Sequence, residues 1–339
     1  MTPVVLIPDR VTDPDIERGV FGPDAEILTP DVHHADAIGA ADWARADAVL
    51  AWHDLDYDAD VLDRMDRCKV IVRIGAGFDN VDLEAAGARG IAVCNVPDYG
   101  TTDVADHAMA LLLSLVRGIA AFDARARLAA DGWDWVHLPT LRRLDGATLG
   151  IVGLGRIGTA VALRAKAFGM RVVFYDPYVA EGVDKALGVT RVRDLHDLAA
   201  EANAVTFHTP LTPETRGLAG PSFFEALKDG ALVVNVARGP VVDLDALTDG
   251  LRSGRVAGAG LDVLPEEPPD PQHPLVRAWL DRADWIADRL LITPHLAFLC
   301  DAAVHEMREK GAREALRALR GEPLLNCVNR PFLAGSASA

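Results

Sequence analysis

Cysteine is scarce in this chain of 339 residues: Cys68, Cys94, Cys300 and Cys327 lie far apart, with no CxxC pair among them. That spacing excludes zinc-type ligand spacing and a dense disulfide framework, so no metal site is expected and the four read as reduced thiols of a cytoplasmic protein. Basic residues are in deficit, 34 against 50 acidic ones, for a formal net charge of -16. Such a surface offers no general attraction to nucleic acid or an anionic membrane. A small anionic substrate must then be met by locally placed arginines. No apolar run approaches the roughly 20 residues of a membrane span. The start, MTPVVLIPDR, lacks the basic residues and longer apolar region of a signal peptide. No repeat of solenoid period is visible.

What is present is an apolar half of the composition, enough for a large core, and a length that favours two domains at about 100 to 200 residues each. Val4 to Ile7, Ala48 to Trp52, Val70 to Arg73 and Ile91 to Cys94 are short apolar runs separated by helix-compatible stretches. This is the rhythm of parallel strands with crossover helices, and it makes roughly the first 98 residues one small α/β unit. A second series follows at Thr148 to Val152, Arg171 to Tyr175, Ala204 to His208, Leu232 to Val236, Gly258 to Val263 and Leu290 to Thr293, which fits a doubly wound sheet. Between the series, Thr101 to Arg117 has helical spacing behind a threonine cap. Ala302 to Arg320 reads as an amphipathic helix stopped by Gly321, and the tail AGSASA has the composition of a disordered end.

The run Thr148 to Val152 leads into Gly153-Leu154-Gly155-Arg156-Ile157-Gly158 and then a helix-like stretch. A lone GxGxxG is weak evidence; between a strand and a helix it has a physical purpose. Gly153 permits the tight turn, Gly155 lets a pyrophosphate approach the backbone, and Gly158 lets helix and strand pack closely, while the N–H groups of the helix start hold the phosphates. The next strand ends at Asp176, eighteen residues beyond Gly158, where a carboxylate meets the adenosine ribose and repels a 2′-phosphate. NAD is therefore favoured, with Arg156 and Arg171 leaving room for NADP. The bland reading is a glycine-rich turn with Asp176 as a loop cap.

Further along, Val234-Asn235-Val236-Ala237-Arg238-Gly239, then Gly260-Leu261-Asp262-Val263 with Glu266-Glu267-Pro268, then Thr293-Pro294-His295 stand in that order. Taken singly, Arg238 could be a helix-terminal cation, Glu267 a solvated acid and His295 a structural histidine. Together with the glycine motif they resemble the arginine, glutamate and histidine signatures of the D-isomer-specific 2-hydroxyacid dehydrogenases, a resemblance running from about Ala48 to Val328. It implies an α/β fold of two domains. One is an NAD-binding Rossmann domain with a doubly wound parallel sheet over residues 99–298. The other is a smaller, flavodoxin-like substrate domain built discontinuously from 1–98 and 299–339.

The resemblance also implies roles. Arg238 grips a substrate carboxylate with its two-pronged donor geometry, and His295 exchanges the hydroxyl proton as hydride moves at C2. Glu267 orients the imidazole and favours its protonated form; it is chosen over Glu266 because the family's acid directly precedes proline. His208, Thr209, Pro210 and Thr215 resemble the family's loop against the cofactor, with Val236 and Ala237 beside it and Asp262 near the nicotinamide end. Arg73, Gly75, Ala76 and Gly77 resemble its substrate-binding loop, where closely spaced glycines expose N–H groups to a carboxylate. His53 follows a strand where an aromatic-histidine pair is expected to face the cleft, the bland reading being a packed or solvated ring. Phe298 suggests an aromatic wall for an apolar substrate side chain, with core packing as the alternative.

VIVRIGAGFDNVDLEAAGARGIAVCNVP, EMREKGAREALRALRG and NCVN are most similar to the C-terminal-binding-protein branch. An NAD-sensing, corepressor-like protein with little turnover is therefore the alternative to an enzyme acting on a small 2-hydroxy or 2-keto acid. The Pro274 to Leu291 stretch, VRAWLDRADWIADR within it, is longer than the usual connection, and Trp279 and Trp285 are candidates for a pocket rim or subunit contact. By resemblance, the helix after residue 101 and the segment Phe122 to Leu144 pair two subunits as a homodimer.

Overall fold

The computed structural model describes residues Thr2–Leu333; the AGSASA tail lies outside the described residues. The chain divides into two compact units: one runs to Gly100 and resumes at Leu299, and the other is Thr101–Phe298.

In the first unit, β1 (Val4–Leu6), β2 (Glu26–Leu28), β3 (Ala48–Ala51), β4 (Val70–Arg73) and β5 (Ala92–Asn95) form one parallel sheet in the order β2-β1-β3-β4-β5. Every residue of β1, β3, β4 and β5 is buried, the apolar run expected of strands covered on both faces. The returning Asp301–Arg320 helix packs on β3 and β4. Gly311 makes this possible, since a Cβ there would lie 2.2 Å from Ile74 Cδ1. The same helix is tied down where Arg308 bonds the fully buried carboxylate of Glu17 at 2.6 and 2.9 Å.

In the second unit, β6 (Thr148–Val152), β7 (Arg171–Tyr175), β8 (Thr190–Arg191), β9 (Ala204–Phe207), β10 (Ala231–Asn235), β11 (Val256–Leu261) and β12 (Leu290–Ile292) form a parallel sheet in the order β12-β11-β10-β9-β6-β7-β8. The order reverses between β6 and β9, the switch point at which open α/β sheets bind ligands beyond the carboxyl ends of their strands. Apolar clusters cover both faces. The Thr101–Arg117 helix packs on β10 and β11, and Gly260 leaves the space it fills: a Cβ there would sit 2.9 Å from Leu111 Cβ.

Two strands were not anticipated, β2 and β8. Both are short, partly exposed and at sheet edges, so neither shows an apolar run. The strand expected at Gly258 to Val263 begins earlier, at Val256, and ends at Leu261, which puts Asp262 just beyond the carboxyl end of β11. Among the described residues no single helix is long and apolar enough to cross a membrane.

Candidate active site

The glycine motif falls at the switch point. Gly153 follows β6 with φ +90°, and a Cβ there would come within 2.8 Å of the His208 carbonyl oxygen. A Cβ on Gly158 would lie 2.0 Å from the Gly153 oxygen, so helix and turn meet closely only because residue 158 is glycine. At Gly155 an added Cβ would meet nothing within 4 Å. Gly155 precedes the Arg156–Ala167 helix, which begins with Arg156 and Ile157 and has no side-chain cap, leaving its first N–H groups to an anion.

Asp176 stands just past β7, and its carboxylate accepts the Leu154 N–H at 2.8 Å and the Tyr178 N–H at 2.9 Å. The acid is thereby fixed against the glycine turn. Opposite Gly153, His208 is held by burial down to about 3 and stays neutral, with Nε2 3.0 Å from Thr206 Oγ1. His208 Nδ1 and Thr209 Oγ1 are buried without a hydrogen-bond partner among the described residues. Buried polar atoms facing the cradle can be satisfied by a bound ligand. Thr215 closes the following loop by donating to Pro210 O at 2.6 Å. An open glycine cradle, an uncapped helix start, a ribose-side carboxylate and orphaned polar atoms together fit a dinucleotide.

The reactive side chains come from the neighbouring strand ends. After β10, Asn235 clamps the turn: its Oδ1 accepts the Ala237 N–H at 3.0 Å and its Nδ2 donates to Arg238 O at 2.9 Å. Val236 and Ala237 are thus buried and Arg238 is presented in extended conformation. Gly239 then meets the glutamate loop, since a Cβ on it would lie 1.9 Å from the Leu264 carbonyl carbon. Glu267 Oε1 accepts the Leu264 N–H at 2.9 Å, and Oε2 lies 2.7 Å from His295 Nδ1.

Burial pushes the Glu267 carboxyl up, but the His295 hydrogen bond and charge, the Leu264 N–H and the charge of Arg238 outweigh it and hold the group below its usual range. An ionised carboxylate accepts only, so Nδ1 of His295 carries the donated proton. His295 sits at φ +51°, a left-handed conformation, and its N–H donates to Asp262 O at 2.8 Å. Phe298 packs edge-on to the imidazole, centroids 6.5 Å apart.

Asp262 has a larger part than its sequence position suggested. Its side chain is buried, and it accepts from Thr293 Oγ1 at 2.6 Å and from the Leu296 and Ala297 N–H groups at 3.0 and 2.9 Å. His107 Nε2 lies 3.0 Å from the same Thr293 hydroxyl. Asn235, Thr293 and His107 were not singled out in the sequence. The first two lie inside the quoted motifs at strand ends, and that was the available signal; His107 carries none.

In the first unit, Arg73 ends β4, and its Nη1 donates to Ile74 O at 2.5 Å. Asn95 donates to Ala76 O at 2.7 Å and Val96 N–H to Gly75 O at 3.0 Å, which fixes the Gly75-Ala76-Gly77 loop at the carboxyl edge of its sheet. His53 lies in a polar group, 3.6 Å from Asp54 and 3.5 Å from Arg10. The second unit therefore gathers Arg238, Glu267, His295, Asp262 and Phe298 with the cofactor-type residues, while Arg73, Gly75, Ala76, Gly77 and His53 share the edge of the first.

A doubly wound sheet with a dinucleotide cradle and an arginine beside a carboxylate-histidine pair defines a nicotinamide-dependent dehydrogenase type of site. The chain belongs to the D-isomer-specific 2-hydroxyacid dehydrogenase family, whose NAD binding domain its residues 109–297 match. NAD is accordingly the cofactor of this unit. The chain is 38% identical over 286 residues to the D-3-phosphoglycerate dehydrogenase of Methanocaldococcus jannaschii, covering 84% of this chain and 52% of that protein. It thus spans about half the length of the curated relatives it matches. Among solved structures it is similar to D-lactate dehydrogenase from Aquifex aeolicus, complexed with NAD and lactic acid, with TM-score 0.81, 27% identity and coverage of 94% of this chain and 96% of that one. It is also similar to the NADPH-dependent glyoxylate/hydroxypyruvate reductase of Sinorhizobium meliloti, in complex with NADP and malonate, with TM-score 0.84, 27% identity and 97% of each chain covered.

Proposed function

We propose that this protein is an NAD-dependent oxidoreductase that transfers a hydride between the cofactor and C2 of a D-2-hydroxy or 2-keto acid. The observation that carries the reading is the Glu267 to His295 contact of 2.7 Å, within the electrostatic reach of Arg238 and on the same unit as the glycine cradle. A pure binding module has no need of a tuned acid/base pair.

Gly153, Gly155, Gly158, Arg156 and Ile157 would hold the pyrophosphate, Asp176 the adenosine ribose, and His208, Thr209, Pro210, Thr215, Val236 and Ala237 the face of NAD toward the strand ends. Bound NAD would supply the acceptor, or in reduced form the donor, for the hydride. His295 Nε2 takes the hydroxyl proton during oxidation and returns one during reduction, while Glu267 keeps the ring oriented. Arg238 grips the carboxylate and polarises the C2 oxygen. Arg73, Gly75, Ala76 and Gly77, with His53, are proposed substrate contacts of the first unit, and Phe298 beside His295 favours an apolar substrate side chain. The residues to Gly100 and from Leu299 are the proposed substrate domain, and Thr101–Phe298 the NAD-binding one. The protein is proposed to act as a cytoplasmic homodimer.

The test is NADH oxidation followed across pyruvate, glyoxylate, hydroxypyruvate, phenylpyruvate and branched 2-keto acids. Turnover on at least one of them that vanishes in His295→Ala is expected. No oxidation above background across the series would overturn the enzymatic reading in favour of an NAD-sensing protein.

A further inference from the structure

Two cysteines far apart in the chain meet in the first unit. Cys94 lies on β5, the edge strand, fully buried. The segment after the Asp301–Arg320 helix crosses that edge and forms one antiparallel bridge, with Cys327 opposite Cys94. Val328 N–H donates to Val93 O at 2.8 Å and Asn95 N–H to Asn326 O at 3.3 Å. The flanking residues therefore carry the ladder bonds, and the cysteines form the non-hydrogen-bonded pair, in which facing Cα atoms approach to about 4.5 Å and side chains are closest. A disulfide spans Cα separations of about 4.4–6.8 Å, so the bridge already supplies the backbone geometry.

We propose that Cys94 and Cys327 are a redox modification site, closing to a cross-strand disulfide when the protein meets a hydroperoxide. Cys327 is the half-buried member and the one a peroxide can reach. Its thiol is drawn below the ordinary thiol range, first by the hydrogen bond from Cys94 and further by the Asn329 N–H and the charge of Arg330, against the opposing effect of burial. In its thiol form Cys327 Sγ donates to Asn329 Oδ1 at 3.4 Å, and the same oxygen accepts the Val93 N–H at 2.8 Å, which anchors the Asn329 side chain at the strand edge. Cys94 is held as the protonated thiol, by its bond to Cys327 and by burial. The Cys327 thiolate attacks a peroxide oxygen, the O–O bond breaks, and the leaving oxygen departs as water or alcohol after taking a proton. Cys94 sulfur then attacks the resulting sulfenic acid at Cys327, the S–O bond breaks, and hydroxide leaves with the Cys94 proton as water. Two electrons pass from the thiols to the peroxide, and one S–S bond forms.

The other cysteines differ in kind. Cys68 is enclosed and its thiol is pushed up to about 12 by burial, which makes it inert. Cys300 is exposed and serves as an internal comparison. The bond would staple the C-terminal segment to the sheet edge, where Asn329 already donates to Ile91 O at 2.9 Å.

The experiment treats the full chain with hydrogen peroxide, blocks remaining thiols with iodoacetamide, and maps peptides without reduction. The expected result is a peptide bearing Cys94 joined to one bearing Cys327, lighter than the separate pair by two hydrogens and released by dithiothreitol. A melting temperature raised by several degrees on oxidation, and unchanged in Cys327→Ser, is expected with it. Recovery of Cys94 in alkylated form beside Cys327 as sulfinic or sulfonic acid would overturn the proposal. So would Cys327 linked to Cys300 or to a second chain. The wild-type map decides the matter whether or not the variant folds.

Discussion

Glu267 has two oxygens with separate tasks: one accepts the Leu264 N–H and fixes the loop, the other meets His295. Replacing it with glutamine preserves shape and removes charge, so Glu267→Gln is expected to lower kcat by about 10²-fold, at the low end of general acid/base effects. Glu266→Gln should leave turnover near wild type, and steady-state kinetics of both variants separate them; loss in the Glu266 variant alone would reverse the assignment. Proline after Glu267 made that choice legible in the sequence. The part of Asp262 was not, because the N–H groups it binds, those of Leu296 and Ala297, come near only once β11 and β12 pair. Asp9 also escaped notice. Burial, with the charge of Asp54, raises its carboxyl from an ordinary 3.8 to about 6, against the Asp54 and Trp52 N–H groups and Arg73. Between those values the folded chain keeps a proton that the unfolded chain has lost, so the contribution of Asp9 to stability falls as pH rises through that window and is level above it. The urea midpoint of wild type relative to that of Asp9→Asn should therefore fall from pH 4 to pH 6; parallel curves would refute the assignment.

Elements meet at glycines in this fold, and one of the closest approaches is between the arginine and glutamate loops. A methyl group on Gly239 would overlap the Leu264 carbonyl, backbone against backbone, and neither loop can yield without moving Arg238 or Glu267. Gly239→Ala is expected to cost about 1–3 kcal/mol of stability, the range for overpacking, and to raise KM for the keto acid as the arginine shifts. Urea denaturation and saturation kinetics check the two limbs; a variant with wild-type KM would show the loops to be more compliant than their spacing implies. At this scale the sequence was most readable where strands are buried on both faces. β4, β6 and β7 begin and end where the apolar runs do, because each run is bounded by the residues that leave the sheet. It was least readable at β2 and β8, where two or three half-exposed residues pair by backbone alone and leave no pattern in side chains.

For the whole molecule, the features that matter most are excess negative charge and one concentration of exposed apolar side chains. At -16 the chain repels copies of itself at long range, and association must then rest on local apolar burial. Ile119, Leu128, Trp133 and Trp135 are all exposed, the tryptophans 76% and 82%, within a single stretch of the second unit. Where such side chains form a patch on a soluble protein, the patch commonly binds something, and a two-fold partner covers the same surface on both copies at once. The stretch overlaps the segment that family resemblance assigns to subunit pairing. Light scattering after gel filtration is therefore expected to give twice the chain mass for wild type, and the single-chain mass for Trp133→Glu combined with Trp135→Glu, with far-ultraviolet circular dichroism unchanged because neither ring contributes to the core clusters. Since desolvating introduced carboxylates at a two-fold contact is unfavourable on both copies, a double variant that remains a dimer would place the contact elsewhere, and a monomeric wild type would leave the exposed tryptophans to some other partner.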